Sequence, residues 1–374
     1  MEKKVRAALI GLGAMGKKYA KILIDGEVSN MELTAVVARK PEAREWIANA
    51  GGQVAVYKDA QELYAHADGY DCVIIATPHK THKELMLQAA ALHKHVLCDK
   101  PAGISVQEAQ DMADAAQQEQ ILYGVMFHQH KYEKYQKMKE LITSGSIGEI
   151  KRILLVNSRY LRTKYYHTSG SWRSSWKGEG GGALINQGAH ILDMWQWLFG
   201  MPDSLYADIP FGKYNDFAVD DEATIVMHYA NGCTGTFILS TGEALHEERL
   251  EVIGSKGKLL LEDDTLTVWT LQQDIDAYIQ TQQTNSRENL KFESEQVVFE
   301  KKPEPYQEML SEYAQAVIEG KTQVETSSGE EAVNQIALTN AAYLSAWKGM
   351  KISLPLDASE YEKYLALAEE REVQ

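Results

Sequence analysis

Two features of the sequence carry chemistry. The first is Gly11, Gly13 and Gly16 in "RAALIGLGAMGKKYAKIL", which space as G-x-G-x-x-G after a short apolar run and before helical spacing. The first glycine allows a tight turn. The second lets the backbone approach a pyrophosphate, and the third lets the helix pack close to its strand. The helix start at Ala14 and Met15 offers N–H groups and partial positive charge to phosphate. The second feature is Lys100 in "KHVLCDKP", where a lysine and a proline directly follow a buried-looking strand. A lysine there either reaches for solvent or is used.

The elements around these residues alternate. "MELTAVVARK", "DCVIIATP", "HVLCDKP" and "ILYGVMF" read as strands; "THKELMLQAAALHK" and "SVQEAQDMADAAQQEQ" read as helices, the latter started by Ser105. Alternation of this kind makes a doubly wound parallel sheet whose ligands lie outside the carboxyl ends of the strands. Thr77, Pro78, Asp99 and Lys100 fall at such ends. The second strand ends in Arg39 and Lys40, with no acid to accept from a ribose 2′-hydroxyl. That favours NADP, with NAD possible and two solvated loop charges as the plainer alternative.

After residue 128 the pattern changes to successive strand-like runs: "KRILLVNSRYL", "SLYADIPF", "EATIVMHYA", "CTGTFILST", "ERLEVIG" and "GKLLLE". Asn231-Gly232 and Ser255-Lys256-Gly257 signal hairpins. The expected organisation is therefore a Rossmann domain over 1–128 and an α+β domain over 129–374. The second is built on a large open, mainly antiparallel sheet with the helix "GALINQGAHILDMWQWLFG" on one face. Residues 272–305 read as a polar loop with a strand near Val297. The helices "YQEMLSEYAQAVIEG" and "GEEAVNQIALTNAAYLSAWKG" are expected to pack back onto the two domains.

Asn186, His190 and Asp193 stand at i, i+4 and i+7, so one helix face presents all three. Asp193 either orients His190 or packs the helix. Ahead of this helix, "RYLRTKYYHTSGSWRSSWKGEGGG" is dense in Tyr, Trp and Arg. Aromatic faces stack on sugar rings, and Arg and Tyr donate to hydroxyls. Arg162, Tyr165, Tyr166, Trp172 and Arg173 are the candidate substrate contacts; alternatively, Trp172 and Trp176 anchor the loop to a core.

The segments "GLGAMG", "ATPHKTH", "CDKP" and "GGGALINQGAHILD" together resemble the Gfo/Idh/MocA oxidoreductases, the family of glucose–fructose oxidoreductase and inositol dehydrogenase. The resemblance covers roughly residues 4 to 350. It implies an NAD(P)-dependent oxidoreductase acting on a secondary hydroxyl or ketone of a sugar, sugar derivative or cyclitol, with an anhydro-keto-sugar reductase as a variant. It places Lys100 beside the nicotinamide and the reacting hydroxyl, and adds His82 to the cofactor side. It also implies an open sheet that serves as an oligomer interface, hence a homodimer or homotetramer. Two departures stand out: Asp99 where glutamate is commoner, and Asn186 where many members carry aspartate. An amide bonds a hydroxyl but cannot take its proton, so the proton work falls on Lys100 and His190. A free lysine near pKa ~10.4 needs help from its surroundings to act as a base at neutral pH. The competing class is a non-catalytic dinucleotide or sugar sensor on the same fold.

Composition bounds the rest. The net charge of -15 argues against nucleic acid or an anionic membrane as partner. Cys72, Cys98 and Cys233 are too few and too scattered for a disulfide framework or zinc set, which suits a reducing, cytoplasmic setting. The N-terminal run is too short and broken for a signal peptide. The scattered histidines offer no metal-ligand cluster.

Overall fold

The computed structural model describes residues 3–170, 172–283, 285–324 and 327–372. Their strands form two sheets, of six and nine strands, and the chain divides into two compact units.

The first unit takes in the chain up to Lys131, together with Gly178–Gly180 and Glu304–Ile336. Its strands are β1 (Val5–Ile10), β2 (Met31–Val37), β3 (Ala55–Tyr57), β4 (Cys72–Ile75), β5 (His95–Cys98) and β6 (Tyr123–Val125). They pair in the order β3-β2-β1-β4-β5-β6, all parallel. β4 is buried throughout and β1 and β5 nearly so, as the continuous apolar runs of a sheet covered on both faces require. The helices α1 (Ala14–Ile24), α2 (Pro41–Ala50), α3 (Ala60–Tyr64), α4 (His82–Ala91) and α5 (Val106–Gln118) connect them. Ser105 starts α5 as its sequence indicates: its Oγ accepts from Glu108 N at 3.2 Å, while Glu108 Oε2 accepts from Ile104 N at 2.8 Å. This is a reciprocal cap of the capping-box type.

One element of this unit comes from far along the chain. The helix Tyr306–Ile318 buries Tyr306, Met309, Leu310 and Tyr313 in the same core as Leu9, Tyr19 and Met31. The Tyr313 hydroxyl donates to Leu122 O at 3.2 Å.

The second unit comprises Tyr132–Lys177, Gly181–Pro303 and the chain from Ala337 onward. It contains α6 (Glu133–Thr143), α7 (Lys164–Thr168) and α8 (Ala183–Phe199). Its strands are β7 (Ile150–Asn157), β8 (Ser204–Asp208), β9 (Glu222–His228), β10 (Thr234–Ser240), β11 (Glu248–Gly254), β12 (Gly257–Glu262), β13 (Thr265–Leu271), β14 (Phe292–Val298) and β15 (Ile352–Ser353). Their order is β14-β13-β12-β11-β7-β10-β9-β8-β15; β7 and β10 run parallel and the other pairs antiparallel. Burial alternates along β9 residue by residue, as expected of a sheet with one covered face. Both expected hairpins form, Asn231-Gly232 between β9 and β10 and Ser255-Lys256 between β11 and β12.

The stretch 272–305 departs from expectation. A helix, Ile275–Thr281, occupies part of the expected loop, started by Asp274, whose carboxylate accepts from Asp276 N at 2.9 Å. The strand near Val297 extends back to Phe292, and β13 precedes it where no strand was expected. The helix buries one residue, Tyr278, so its apolar period is too weak to read. The three cysteines are buried free thiols. Among the described residues, no helix is long and apolar enough to cross a membrane.

Candidate functional site

The candidate residues fall into two groups, one in each unit. In the first unit the strand order reverses direction between β1 and β4, the place where doubly wound sheets bind ligands at their carboxyl ends. Gly11 follows β1, Arg39 and Lys40 follow β2, Thr77 and Pro78 follow β4, and Asp99 and Lys100 follow β5.

The three glycines take three different parts. Gly11 has φ +100°, a conformation open to glycine, and a Cβ there would lie 2.9 Å from Thr77 Cγ2. A Cβ on Gly16 would overlap the Gly11 carbonyl oxygen and lie 2.9 Å from its carbon. A Cβ on Gly13 would meet nothing within 4 Å. The first glycine therefore lets the turn after β1 lie close to the residues that follow β4, and the third lets α1 pack on that turn. The second leaves open space at the start of α1, where no side chain caps the helix and the first turn carries no acid. Uncapped N–H groups and an open approach fit a pyrophosphate.

The loops after β4 and β5 are tied together by His82. Its ring is 0 % exposed; Nδ1 lies 2.9 Å from Pro101 O and Nε2 lies 2.8 Å from Thr77 O. Burial pushes the His82 pKa down, against the pull of the two carbonyls and Asp99. His82 thus acts on the crevice by holding its walls. Asp99 Oδ1 accepts from Lys100 N at 3.0 Å and from the Tyr19 hydroxyl at 3.1 Å. Burial raises the Asp99 pKa, while Lys100 and His82 oppose the rise. Asp99 therefore shapes the turn that presents Lys100, which is partly buried.

Arg39 and Lys40 are exposed. A third cation joins them that sequence reading missed: Arg44 Nε donates to Ala38 O at 2.9 Å. Its position one helical turn after Lys40, behind Pro41 at the start of α2, was the available clue.

In the second unit α8 carries Asn186, His190 and Asp193. Its first turn is held from a distance. Asp220, 0 % exposed, accepts from Gly182 N at 2.9 Å, Leu184 N at 2.6 Å and the Tyr343 hydroxyl at 2.6 Å. Burial raises its pKa, and these donors work against the rise. Asn186 and Asp193 are buried and His190 partly exposed. Asp193 Oδ1 accepts from Gln196 Nε2 at 3.3 Å.

Tyr166 is the hub of the aromatic segment. Its hydroxyl oxygen accepts from Arg173 Nη1 at 2.6 Å, Asn186 Nδ2 at 3.2 Å and Gln187 Nε2 at 3.1 Å. The guanidinium carbons of Arg162 and Arg173 lie 4.2 Å and 4.5 Å from its ring centroid, and Arg173 lies 4.6 Å from Trp172. The structure thus brings together Arg162, Tyr166, Trp172, Arg173 and Asn186, and adds Gln187, which follows Asn186 directly. Tyr165 stands outside the cluster at 83 % exposure. Trp176 is the loop anchor: buried, it donates from Nε1 to Ala218 O at 2.9 Å and packs on Tyr343 and Trp347. Among the described residues no group of three or more His, Cys, Asp or Glu could hold a metal.

Known proteins fit this layout. The chain is 26% identical over 290 residues to myo-inositol 2-dehydrogenase of Thermotoga maritima, covering 72% of this chain and 79% of that one. It is 31% identical over 200 residues to glucose-6-phosphate 3-dehydrogenase of Bacillus subtilis, covering 52% and 53%. The WlbA dehydrogenase of Bordetella pertussis, solved with NADH and UDP-GlcNAcA, superimposes with a TM-score of 0.77 at 21% identity, over 95% of this chain and 100% of that one. Residues 5–127 match the GFO_IDH_MocA domain, described as "Oxidoreductase family, NAD-binding Rossmann fold", and residues 135–260 match the GFO/IDH/MocA C-terminal domain. The chain belongs to the Gfo/Idh/MocA oxidoreductase family.

Proposed function

We propose that the protein is an NAD(P)-dependent dehydrogenase that interconverts a secondary hydroxyl and a ketone on a sugar, sugar derivative or cyclitol, with NADP the favoured cofactor. The observation that carries this reading is Lys100, placed after β5 on a turn shaped by Asp99, in the same unit as the open approach at Gly13. The nicotinamide, when bound, supplies the hydride acceptor or donor. Lys100 then takes the hydroxyl proton in oxidation and returns it in reduction, and His190 is the other residue proposed for proton transfer. Asn186 hydrogen-bonds a substrate hydroxyl without taking its proton. The relatives' sugar and cyclitol substrates support the substrate class.

Two further proposals accompany it. The protein works in the cytoplasm, consistent with three free thiols. It assembles as a homodimer or homotetramer through the outer face of the nine-stranded sheet, where Leu154, Val226, Ile238 and Leu260 are only partly buried.

The test is turnover of a sugar and cyclitol panel with NAD and NADP, followed by Lys100→Met on the best substrate. We expect the variant to fold and bind cofactor while turnover falls about 10²-fold or more, the usual scale of acid–base catalysis. Folded Lys100→Met protein that turns over at the original rate would refute the role of Lys100. No nicotinamide reduction with any substrate would favour a sensor.

A further inference from the structure

The reading above leaves the substrate's charge open, and the second unit speaks to it. The chain carries a net charge of -15, yet no Asp or Glu lies between Glu149 and Glu179, while seven lysines and arginines do. Several other cations in this unit find acids: Arg152 pairs with Glu251, Arg159 with Glu248 and Lys213 with Glu222. Arg162 and Arg173 differ. Among the described residues neither has a carboxylate partner, although both are partly buried. They pack instead on Tyr166.

The hydrogen bonds show the same excess of donors. Arg162 Nε is buried without an acceptor. The Tyr166 oxygen receives N–H groups from Arg173, Asn186 and Gln187, more than a phenol oxygen can satisfy well. The acid that bears on this cluster through His167 is Asp221: its Oδ2 is engaged by Tyr214 N and Asn215 N at 2.9 Å and 3.0 Å, its Oδ1 is buried without a partner, and among the described residues it forms no ion pair with Arg162 or Arg173. Partly desolvated guanidinium groups with too few acceptors, and none of them charged, are costly. An anion that presents two oxygens side by side, as a carboxylate or a phosphate does, matches their fork of donors and removes that cost. Trp172 beside Arg173 supplies an apolar face of the kind that lies against a sugar ring.

We infer that the substrate carries an anionic group, a carboxylate or a phosphate ester, held by Arg162 and Arg173. This rests on the sugar-oxidoreductase reading and narrows it to acidic or phosphorylated sugars.

The experiment is a titration of cofactor-loaded protein, followed by tryptophan fluorescence, with three sugars that differ at one carbon: glucose, glucuronate and glucose 6-phosphate. At least one anionic sugar binds about tenfold or more tightly than glucose, the scale of one charge-assisted hydrogen bond. The preference weakens with added salt. Arg162→Gln and Arg173→Gln each shrink the advantage over glucose, and Arg173→Lys retains part of it; thermal melts confirm that each variant is folded. The stronger of the two anionic arms identifies carboxylate or phosphate. Equal binding of glucose, a preference that survives both glutamine variants, or no binding of either anionic sugar below about 10 mM would overturn the inference. Nicotinamide absorbance, read in the same samples, separates the two claims. Arginine-dependent binding without oxidation of any sugar defeats the proposed reaction alone. Oxidation of a neutral sugar without anionic preference defeats this inference alone.

Discussion

Adding one methyl group to the glycine turn should separate its two jobs. Gly13→Ala introduces a Cβ into space with no atom within 4 Å, at φ -75° and ψ -162°, a conformation alanine adopts freely. Its cost to the fold is that of a poorer helix cap, about 1 kcal/mol or less. The methyl does, however, occupy the approach through which backbone N–H groups would reach a pyrophosphate. Loss of one hydrogen bond to a charged group costs about 1.5–3 kcal/mol, or roughly 10- to 150-fold in Kd. Gly16→Ala does the opposite. Its Cβ overlaps the Gly11 carbonyl, so α1 and β1 must part, at about 1–3 kcal/mol. The assay is thermal unfolding with and without NAD or NADP, supported by cofactor titration. Bound cofactor raises Tm by linkage. Gly13→Ala should lose at most about 4 °C of its unliganded Tm but most of the cofactor-induced rise. Gly16→Ala should lower the unliganded Tm by roughly 2–12 °C. Unimpaired cofactor affinity in Gly13→Ala, or an equal loss of unliganded stability in both variants, would refute the division.

Two other expectations concern charge. Arg39→Ala and Arg44→Ala should each weaken NADP by about tenfold and leave NAD nearly unchanged, because they flank the turn after β2 where a 2′-phosphate would lie; a clear NAD preference that neither variant alters would contradict this in parallel titrations. Glu251 is lifted by burial, but Lys258 and Arg152 overcome that and hold it down at about 2. Its folded pKa is depressed, so its contribution, at most about 3 kcal/mol, is complete above the unfolded value of about 4.5 and is lost as pH falls towards 2. Glu251→Gln should therefore flatten the acid limb of a denaturation profile over that window, and an unchanged limb would show that Glu251 and these two cations are too solvated to matter.

The sequence made the first unit legible where chemistry is local. The glycine spacing, the buried strands and the Ser105 cap each depend on residues within a turn or two of one another, and local patterns of that kind survive in the sequence. The helix Tyr306–Ile318 was visible as a helix, but its place in the core of Leu9 and Tyr19 depends on tertiary packing that no local period encodes. The short helix Ile275–Thr281 was hidden for the reverse reason: with only Tyr278 buried, it shows almost no apolar stripe.

The second group of site residues marks the limit more sharply. Spacing alone put Asn186, His190 and Asp193 on one face of α8. It could not show that α8 begins where it does because Asp220 reaches Gly182 and Leu184 from 38 and 36 residues away and is itself gripped by Tyr343. Nor could it rank the aromatic segment. Tyr165 and Tyr166 are neighbours of the same type, yet one is exposed to solvent and the other gathers two arginines and two amides. Successive residues of the short helix α7 point about 100° apart, so a single step along the chain moves a side chain from cluster to solvent. What composition did contain, and what a search for single candidate residues passes over, is the stretch without acids from Lys151 to Gly178 in an otherwise acidic chain. The fold draws Arg162 and Arg173 from that stretch onto one ring, and so turns a compositional bias into a cluster of donors in want of an anion.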